Sequence, residues 1–339
     1  MSLGVAIIGC GLIGHKRAQA LGTARLVACV DVVLERAQGL ARQYDTIRKS
    51  DRPKVSLSSD WREVIHRSDV DVFIVATTNN ILSEVTKAAM EAGKHVLVEK
   101  PGARHILELR DLPIIAANMG VQVRVGFNHR YHRAFQQARQ IVDSGALGPL
   151  MFLRARYGHG GRIGYDNEWR ADPAISGGGE LIDQGVHLID LARWFLGDFT
   201  EVYGYAQTYF WDMPVDDNSF MLLKTLQKQV AFLHVSCTEW KNTFSWELYG
   251  RNGKLQVDGL GGSYGVERLS WYKMLPEMGP PETMIWEYPM ADNSWEVEMM
   301  EFLEDIRLSR QPAAGLLDAM AALDIVGKIY KESGYDHCT

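Results

Sequence analysis

The first third of the chain alternates short apolar runs with helix-compatible stretches. Residues 5–8, Val5-Ala6-Ile7-Ile8, form the apolar run expected of a strand buried on both faces. Runs of the same character recur at residues 26–30, 71–76, 95–98 and 121–127. Helix-compatible sequence lies between them at residues 15–21, 81–92 and 104–118, the last interrupted near Pro113. Strands alternating with helices predict a doubly wound, mostly parallel sheet. From about Leu150 the pattern changes. Residues 150–157, 201–211, 219–226, 230–238, 244–249, 254–257, 268–274 and 284–288 read as strands rich in aromatic and β-branched side chains. Short polar or glycine turns separate them, with Arg251-Asn252-Gly253 as a hairpin signal. Few helices intervene before residues 294–309 and 313–332, so this half predicts a large, mainly antiparallel sheet. Such a sheet must cover its second face, and a partner subunit is one way to do so. The fold class expected is α/β.

A chain of 339 residues exceeds one ordinary core and suits two domains. Hydrophobic content of 46% and charged content of 23% are those of a globular protein. Net charge is −6, and no Lys/Arg block stands out. Nucleic acid and anionic membrane surfaces are therefore excluded as expected partners. No apolar stretch approaches the roughly 18 residues that span a bilayer, and no basic segment followed by a long apolar region marks a secretory signal. Cys10, Cys29, Cys237 and Cys338 are scattered and contain no C-x-x-C. They suit a reducing compartment, and the expected localisation is cytoplasmic.

The first apolar run leads directly into Gly9-Cys10-Gly11-Leu12-Ile13-Gly14, a G-x-G-x-x-G. Gly9 permits the tight turn, Gly11 lets backbone approach a pyrophosphate, and Gly14 lets helix and strand pack closely. The segment through Leu12 and Ile13 would place the pyrophosphate at a helix N-terminus. Asp31 ends the next strand, where a carboxylate accepts hydrogen bonds from the adenosine ribose hydroxyls. It would also repel a 2′-phosphate, and Val32 and Val33 supply no cation, so NAD is favoured over NADP. Arg36 is the residue that could reverse that choice.

Ligands of doubly wound sheets bind at the carboxyl ends of the strands. Thr77-Thr78-Asn79-Asn80 and Glu99-Lys100-Pro101 also fall at strand ends, which makes Thr77, Asn79, Glu99 and Lys100 further cofactor candidates. Farther on, Gly177-Gly178-Gly179-Glu180 reads as a loop feeding a largely buried helix, with Glu180 in its first turn. Asp183 and His187 lie one turn apart on that helix, on one face and within reach of each other. A buried carboxylate beside a histidine is costly unless the pair is hydrogen-bonded or used.

Four features, the G-x-G-x-x-G, Glu99-Lys100-Pro101, Gly126-Phe127-Asn128-His129-Arg130-Tyr131 and the glycine-led stretch through Asp183 and His187, together resemble the Gfo/Idh/MocA oxidoreductases, relatives of glucose–fructose oxidoreductase and inositol dehydrogenase. The resemblance covers nearly the whole chain. It implies a Rossmann domain for NAD over residues 1–125. It also implies a substrate-binding and oligomerisation domain over residues 126–339, with an open-faced sheet used for homodimers or homotetramers. By the same resemblance Lys100, Asp183 and His187 correspond to the family's catalytic lysine, aspartate and histidine. The chemistry is sensible in itself. Oxidising a secondary alcohol needs a base, and imidazole titrates near neutral pH. Asp183 would bind substrate or orient the imidazole, and Lys100 would hydrogen-bond the reacting oxygen. Two departures bear on local loops: Thr77-Thr78-Asn79 lacks a proline frequent in the family, with Leu82 in place of a histidine, and Arg133 stands where proline is often found.

The loop at residues 157–170 just precedes the catalytic stretch and is expected to wall the substrate pocket. Arg162 and Arg170 suit a carboxylate or phosphate, Trp169 suits a sugar ring, and Asn128 is a further substrate candidate. Trp240, Trp246, Trp271 and Trp295 are expected to pack in sheet or core. His129, His132, His159 and His187 match no zinc spacing, so no metal is expected. The function expected is NAD-dependent oxidation of a cyclic polyol, sugar or sugar derivative, with a slight lean to an anionic one. A redox-neutral NAD-using glycosidase and a non-enzymatic NAD-sensing regulator remain as alternatives.

Overall fold

The computed structural model describes residues 2–48 and 54–335. They form two compact units, Met1–Phe127 with Trp295–Met320, and Asn128–Ser294 with Ala321–Thr339. The sequence divides the chain once, after residue 125, whereas residues 295–320 cluster with the first unit.

The first unit contains β1 (Gly4–Ile8), α1 (Leu12–Gln19), β2 (Arg25–Val30), α2 (Leu34–Arg48), β3 (Ser56–Ser58), β4 (Val72–Val75), α3 (Asn79–Glu91), β5 (His95–Val98), α4 (Leu112–Met119) and β6 (Val123–Val125). The sheet is parallel, in the order β3-β2-β1-β4-β5-β6. β1 and β4 are buried along their whole length, which explains their unbroken apolar sequence. Strand order reverses between β1 and β4, and Gly9 and Thr77 lie just beyond those two strand ends. Such a reversal is where doubly wound sheets bind ligands. The sequence did not suggest α2 or β3. α2 is mostly polar and buries a single stripe, Ala37, Leu40, Ala41 and Tyr44, while β3 has three residues. Pro113 occupies the first turn of α4, where its missing N–H has no partner to lose. The helix expected over residues 104–118 is therefore a short 3₁₀ turn at Ile106–Leu109 followed by α4.

The second unit contains α5 (Arg133–Asp143), β7 (Leu150–Gly158), α6 (Pro173–Ser176), α7 (Val186–Leu196), β8 (Phe199–Gln207), β9 (Asn218–Thr225), β10 (Val230–Ser236), β11 (Thr243–Gly250), β12 (Gly253–Asp258), β13 (Glu267–Lys273) and β14 (Glu282–Tyr288). α8 (Ser294–Leu308) and the start of α9 (Leu316–Ser333) cluster with the first unit, and the remainder of α9 with the second. The eight strands run β14-β13-β12-β11-β7-β10-β9-β8. Among the described residues of this sheet, only β7 and β10 pair in parallel. Burial alternates along β11, as one covered face requires. Trp246 on β11 is fully buried, its ring 5.2 Å from Phe135 of α5 and 4.7 Å from Phe195 of α7. These helices cover one face. On the other, Tyr203, Tyr205, Leu222 and Phe232 are exposed. The Arg251-Asn252 hairpin forms as expected between β11 and β12.

β8 stops at Gln207 rather than continuing to residue 211. The buried Asp217 carboxylate takes the backbone N–H groups of Tyr209, Phe210 and Trp211 and bends the chain out of the sheet. α5 was also unforeseen, and a carboxylate distant in sequence begins it: Glu267 of β13 accepts from the Ala134 N–H at 2.6 Å. Among the described residues no helix is long and apolar enough to cross a membrane. Cys10, Cys29 and Cys237 are buried free thiols, and Cys338 lies outside the described residues.

Truncating Trp246 to alanine removes the side chain on which α5 and α7 converge. A loss of about 3–5 kcal/mol is expected in urea unfolding of the second unit. A loss below about 1 kcal/mol would mean that Trp246 does not hold this core.

Candidate active site

In the first unit the glycine-rich turn is built for close approach. Gly9 has φ +92°, and a Cβ there would lie 2.3 Å from the Ala76 carbonyl oxygen at the end of β4. A Cβ on Gly14 would lie 2.2 Å from the Gly9 carbonyl oxygen, so helix and turn touch backbone to backbone. A Cβ on Gly11 would meet nothing within 4 Å, so the chain here faces open space. Gly11 caps α1 without a side-chain hydrogen bond, and no acid occupies the first turn. Leu12 is exposed and Ile13 partly so. Uncapped N–H groups at a bare helix N-terminus fit a phosphate group. Asp31 ends β2, its carboxylate accepting from the Cys10 N–H at 2.8 Å and the Val33 N–H at 2.9 Å. The acid is thus fixed against the turn. Arg36 is exposed in the first turn of α2. Thr77 and the buried Asn79 lie where β4 passes into α3.

Glu99 is held from within. Arg17 of α1, buried, donates from Nε to Glu99 at 2.6 Å and contacts Glu298 of α8 at 2.5 Å. Its guanidinium also stacks over Trp295 at 4.4 Å. A Cβ on Gly126 would lie 2.6 Å from an Arg17 nitrogen, so only glycine fits beside this arrangement. Lys100 follows Glu99, is half-buried, and is joined to Pro101 by a cis peptide bond.

The second unit gathers the other candidates. α6 ends at Gly177, and the three glycines then run under Asp216. That buried carboxylate accepts from the N–H groups of Gly179 (2.9 Å) and Leu181 (2.8 Å) and from the Tyr330 hydroxyl (2.7 Å). A Cβ on Gly179 would lie 1.9 Å from the Asp216 carbonyl oxygen, and one on Gly178 2.2 Å from the Tyr330 hydroxyl. The run of glycine is therefore a steric requirement. Burial pushes the Asp216 carboxyl up to about 7 against these three donors.

The helix beyond does not begin as an ordinary α-helix. Leu181–Gly185 is a π-turn, and α7 proper starts at Val186. π-turns interrupt helices at functional sites. Asp183 lies in that turn and accepts from Arg170 Nε at 3.1 Å. Burial lowers the Arg170 pKa, but the charge of Asp183 outweighs it and raises the group above its usual value. The buried His187 stacks face to face on His129, ring centroids 3.8 Å apart and planes inclined by 16°. Asn128 sits beside this pair, its side-chain oxygen 3.2 Å from His129 Nδ1 and its amide donating to Ser294. Arg162 is exposed and paired with Glu168 at 2.5 Å. Trp169 lies under the Arg170 guanidinium at 4.6 Å.

Several residues here were given no chemical role by the sequence. Glu180 is buried, with His159 Nε2 3.5 Å from it. Gly161 N–H donates to His159 Nδ1. Burial lowers the His159 pKa, yet the hydrogen bond and charge of Glu180 outweigh it and hold the group above its ordinary value. Burial, joined by Glu180 and Asp183, raises Tyr157 and Tyr165, and Tyr264 to about 12. The sequence noticed His129 within the Gly126–Tyr131 motif and His159 within the loop at residues 157–170, without assigning either a role, and among the described residues no group of His, Cys, Asp or Glu is arranged to hold a metal.

Residues 3–127 match the family described as an oxidoreductase family with an NAD-binding Rossmann fold, and residues 135–256 match the GFO/IDH/MocA C-terminal domain. The chain belongs to the GFO/IDH/MocA family. It is 31% identical over 172 residues to levoglucosan dehydrogenase of Pseudarthrobacter phenanthrenivorans, covering 50% of this chain and 44% of that protein. It is 34% identical over 201 residues to D-glucoside 3-dehydrogenase of Escherichia coli (58% and 54%). It is 30% identical over 204 residues to inositol 2-dehydrogenase 2 of Saccharopolyspora erythraea (58% and 55%). The chain thus spans about half the length of the curated relatives it matches. In fold it is similar to levoglucosan dehydrogenase in complex with NADH, with a TM-score of 0.86 at 22% identity over 99% of this chain and 98% of that one. It is also similar to GenD2 from gentamicin A biosynthesis in complex with NAD, with a TM-score of 0.81 at 23% identity over 98% and 94%. The parallel six-stranded sheet and the larger, mostly antiparallel sheet are the GFO/IDH/MocA architecture. In this member of the family Arg17 is the cation that holds Glu99.

Because Asp216 binds its proton more tightly folded than unfolded, it contributes stability at low pH that is lost as pH rises from about 4 to 7. Asp216→Asn cannot ionise and lacks that loss. Its stability relative to the parent, followed by urea unfolding at several pH values, should improve steadily across that window. A difference independent of pH would show that Asp216 titrates normally.

Proposed function

We propose that this protein is an NAD-dependent dehydrogenase that oxidises a secondary hydroxyl of a neutral sugar, glycoside or cyclic polyol. The observation that carries the reading is the buried His187 stacked on His129, with Asp183 held by Arg170 in the π-turn that leads into the same helix, in a chain whose other unit has the bare glycine turn and fixed Asp31 of a dinucleotide site. Bound NAD supplies the hydride acceptor. Gly9, Gly11, Leu12, Ile13 and Gly14 hold its pyrophosphate, Asp31 its ribose, and Thr77, Asn79, Glu99 and Lys100 flank it. His187 takes the proton from the substrate hydroxyl. Lys100 donates a hydrogen bond to the same oxygen as negative charge develops there. Asp183 binds a neighbouring hydroxyl and, through Arg170, keeps a fixed orientation. Asn128 and Trp169 complete the substrate contacts.

The choice of a neutral substrate revises the lean towards an anionic one. Arg170 is matched by Asp183 and Arg162 by Glu168, with Glu180 buried close to His159. Each arginine thus already has a carboxylate partner with which an added carboxylate or phosphate would compete. The names of the relatives, which act on levoglucosan, glucosides and inositol, support the same class. The Asp31 carboxylate supports NAD over NADP, with the exposed Arg36 as the opposing group. The exposed aromatic face of the second sheet supports assembly as a homodimer or homotetramer.

Reduced nicotinamide absorbance, measured with NAD and a panel of inositols, free aldoses, glycosides, anhydrosugars, uronates and sugar nucleotides, tests the reading. A rise with a neutral class is expected. Lys100→Met and His187→Ala should each lower kcat about 100- to 10,000-fold while NAD still binds. Near-normal turnover in either variant removes that residue from the chemistry, and release of free sugar without net reduction would favour the redox-neutral glycosidase. Asp31→Ala should weaken NAD more than NADP in equilibrium binding, and an equal effect would sink the ribose assignment.

A further inference from the structure

The two rings of the His187–His129 stack come from separate elements of the second unit. His187 is the second residue of α7, and His129 belongs to a 3₁₀ turn at Asn128–Tyr131. Both are buried, and the rings lie plane to plane, 3.8 Å between centroids and inclined by 16°. We infer that His129 is a positioning residue for the reaction: its ring fixes the plane of the His187 imidazole by stacking, and it takes no proton from it. The inference deepens the dehydrogenase reading and rests on it.

Three sets of contacts hold the stack. Arg130, next to His129, donates from Nε and Nη2 to the two carboxylate oxygens of Asp190, at 2.8 and 2.5 Å. Both residues are buried, and Asp190 follows His187 by three positions on α7. Residues so spaced share a helix face, so this fork sets the separation at which the two rings meet. Asn128 donates from its amide to Ser294 at 2.9 Å and turns its oxygen to His129 Nδ1 at 3.2 Å. That pairing assigns a proton to His129 Nδ1 and fixes the rotation of its ring. Aromatic neighbours close the edges: Tyr157 of β7 at 5.3 Å, Phe244 of β11 at 6.3 Å and His132 at 5.6 Å. His132 is in turn held by Glu267 at 2.9 Å.

The N–H bonds and nitrogen lone pairs of an imidazole lie in the plane of its ring. Rings stacked face to face therefore aim no donor of one at an acceptor of the other, and no proton passes directly between them. What the stack controls is rotation of His187 about its Cβ–Cγ bond, a broad torsion with little preference of its own. A base must point an in-plane lone pair along the substrate O–H bond, and a ring free to rotate is misaimed for much of the time. Holding that plane needs a flat neighbour and does not need an ionisable one.

The test compares His129→Phe, which keeps a flat ring without nitrogen, with His129→Leu, which fills the space without a ring. It uses the full chain with NAD and the inositol, glycoside or anhydrosugar that the parent oxidises fastest. His129→Leu should lower kcat about 10- to 100-fold, with KM changed less than about threefold and NAD binding unmoved. His129→Phe should recover kcat to within about threefold of the parent. Equal losses in both variants would give the His129 nitrogens a part of their own and overturn the stacking role, as would normal kcat in both. A higher KM at unchanged kcat would make His129 a substrate contact and overturn it too. If His129→Leu does not fold, His129→Phe decides by itself: kcat near the parent's supports the role, and a larger loss overturns it. Histidine Cε1–Hε1 NMR spectra give a readout independent of turnover. The His187 resonance, identified by its absence in His187→Ala, should lie upfield in the parent and in His129→Phe, under the ring current of the stacked neighbour. It should move downfield in His129→Leu. A resonance at one position in all three overturns the stack. If no compound reduces NAD, the dehydrogenase reading fails, and these spectra alone decide whether His129 orients His187.

Discussion

Asp216 lies inside the second unit with no exposed surface, and its two oxygens take the N–H groups of Gly179 and Leu181 and the Tyr330 hydroxyl. Its backbone carbonyl takes a further N–H, from Glu180. One residue therefore binds three successive positions of the chain, and the turn they form cannot shift without leaving a buried carboxylate unsatisfied. Everything that follows is placed from there: Glu180 against His159, Asp183 in the π-turn, His187 in the first turn of α7 against His129. The glycines are the sequence consequence, because backbone packed this closely leaves no volume for Cβ atoms.

The first unit uses charge in a comparable way. Arg17 is buried between Glu99 and Glu298, and burial raises the pKa of Glu298 although Arg17 and Arg124 oppose it. A lone buried carboxylate would be expelled or neutralised, whereas an arginine fork can satisfy two acids at once. The result ties the helix that follows the glycine turn to the residue preceding Lys100. The glycine turn and Lys100, the candidate cofactor and catalytic elements of that unit, are thus joined through one buried arginine.

Electrostatics then narrow the chemistry. Three acids, Glu168, Glu180 and Asp183, are set against Arg162, Arg170 and His159 in the second unit. Tyr157, Tyr165 and Tyr264 stay neutral because burial, joined by Glu180 and Asp183, raises their pKa values.

Periodicity and short motifs sufficed for the doubly wound sheet, the antiparallel sheet and the turn at Gly9, because each rests on local rules of burial and backbone sterics. The same local reading picked out Lys100, Asp183 and His187 as reactive types at strand and helix ends. α2 and α5 escaped it, since one carries a thin apolar stripe in polar sequence and the other is capped by Glu267 from a distant strand. The π-turn depends on how Asp216 seizes the chain, and the end of β8 on how Asp217 bends it. By sequence Arg162 and Arg170 suit an anion, and only the fold shows Glu168 and Asp183 beside them. Whether a charge is available or already spent is a property of neighbours brought together by folding, and residue type and spacing cannot encode it.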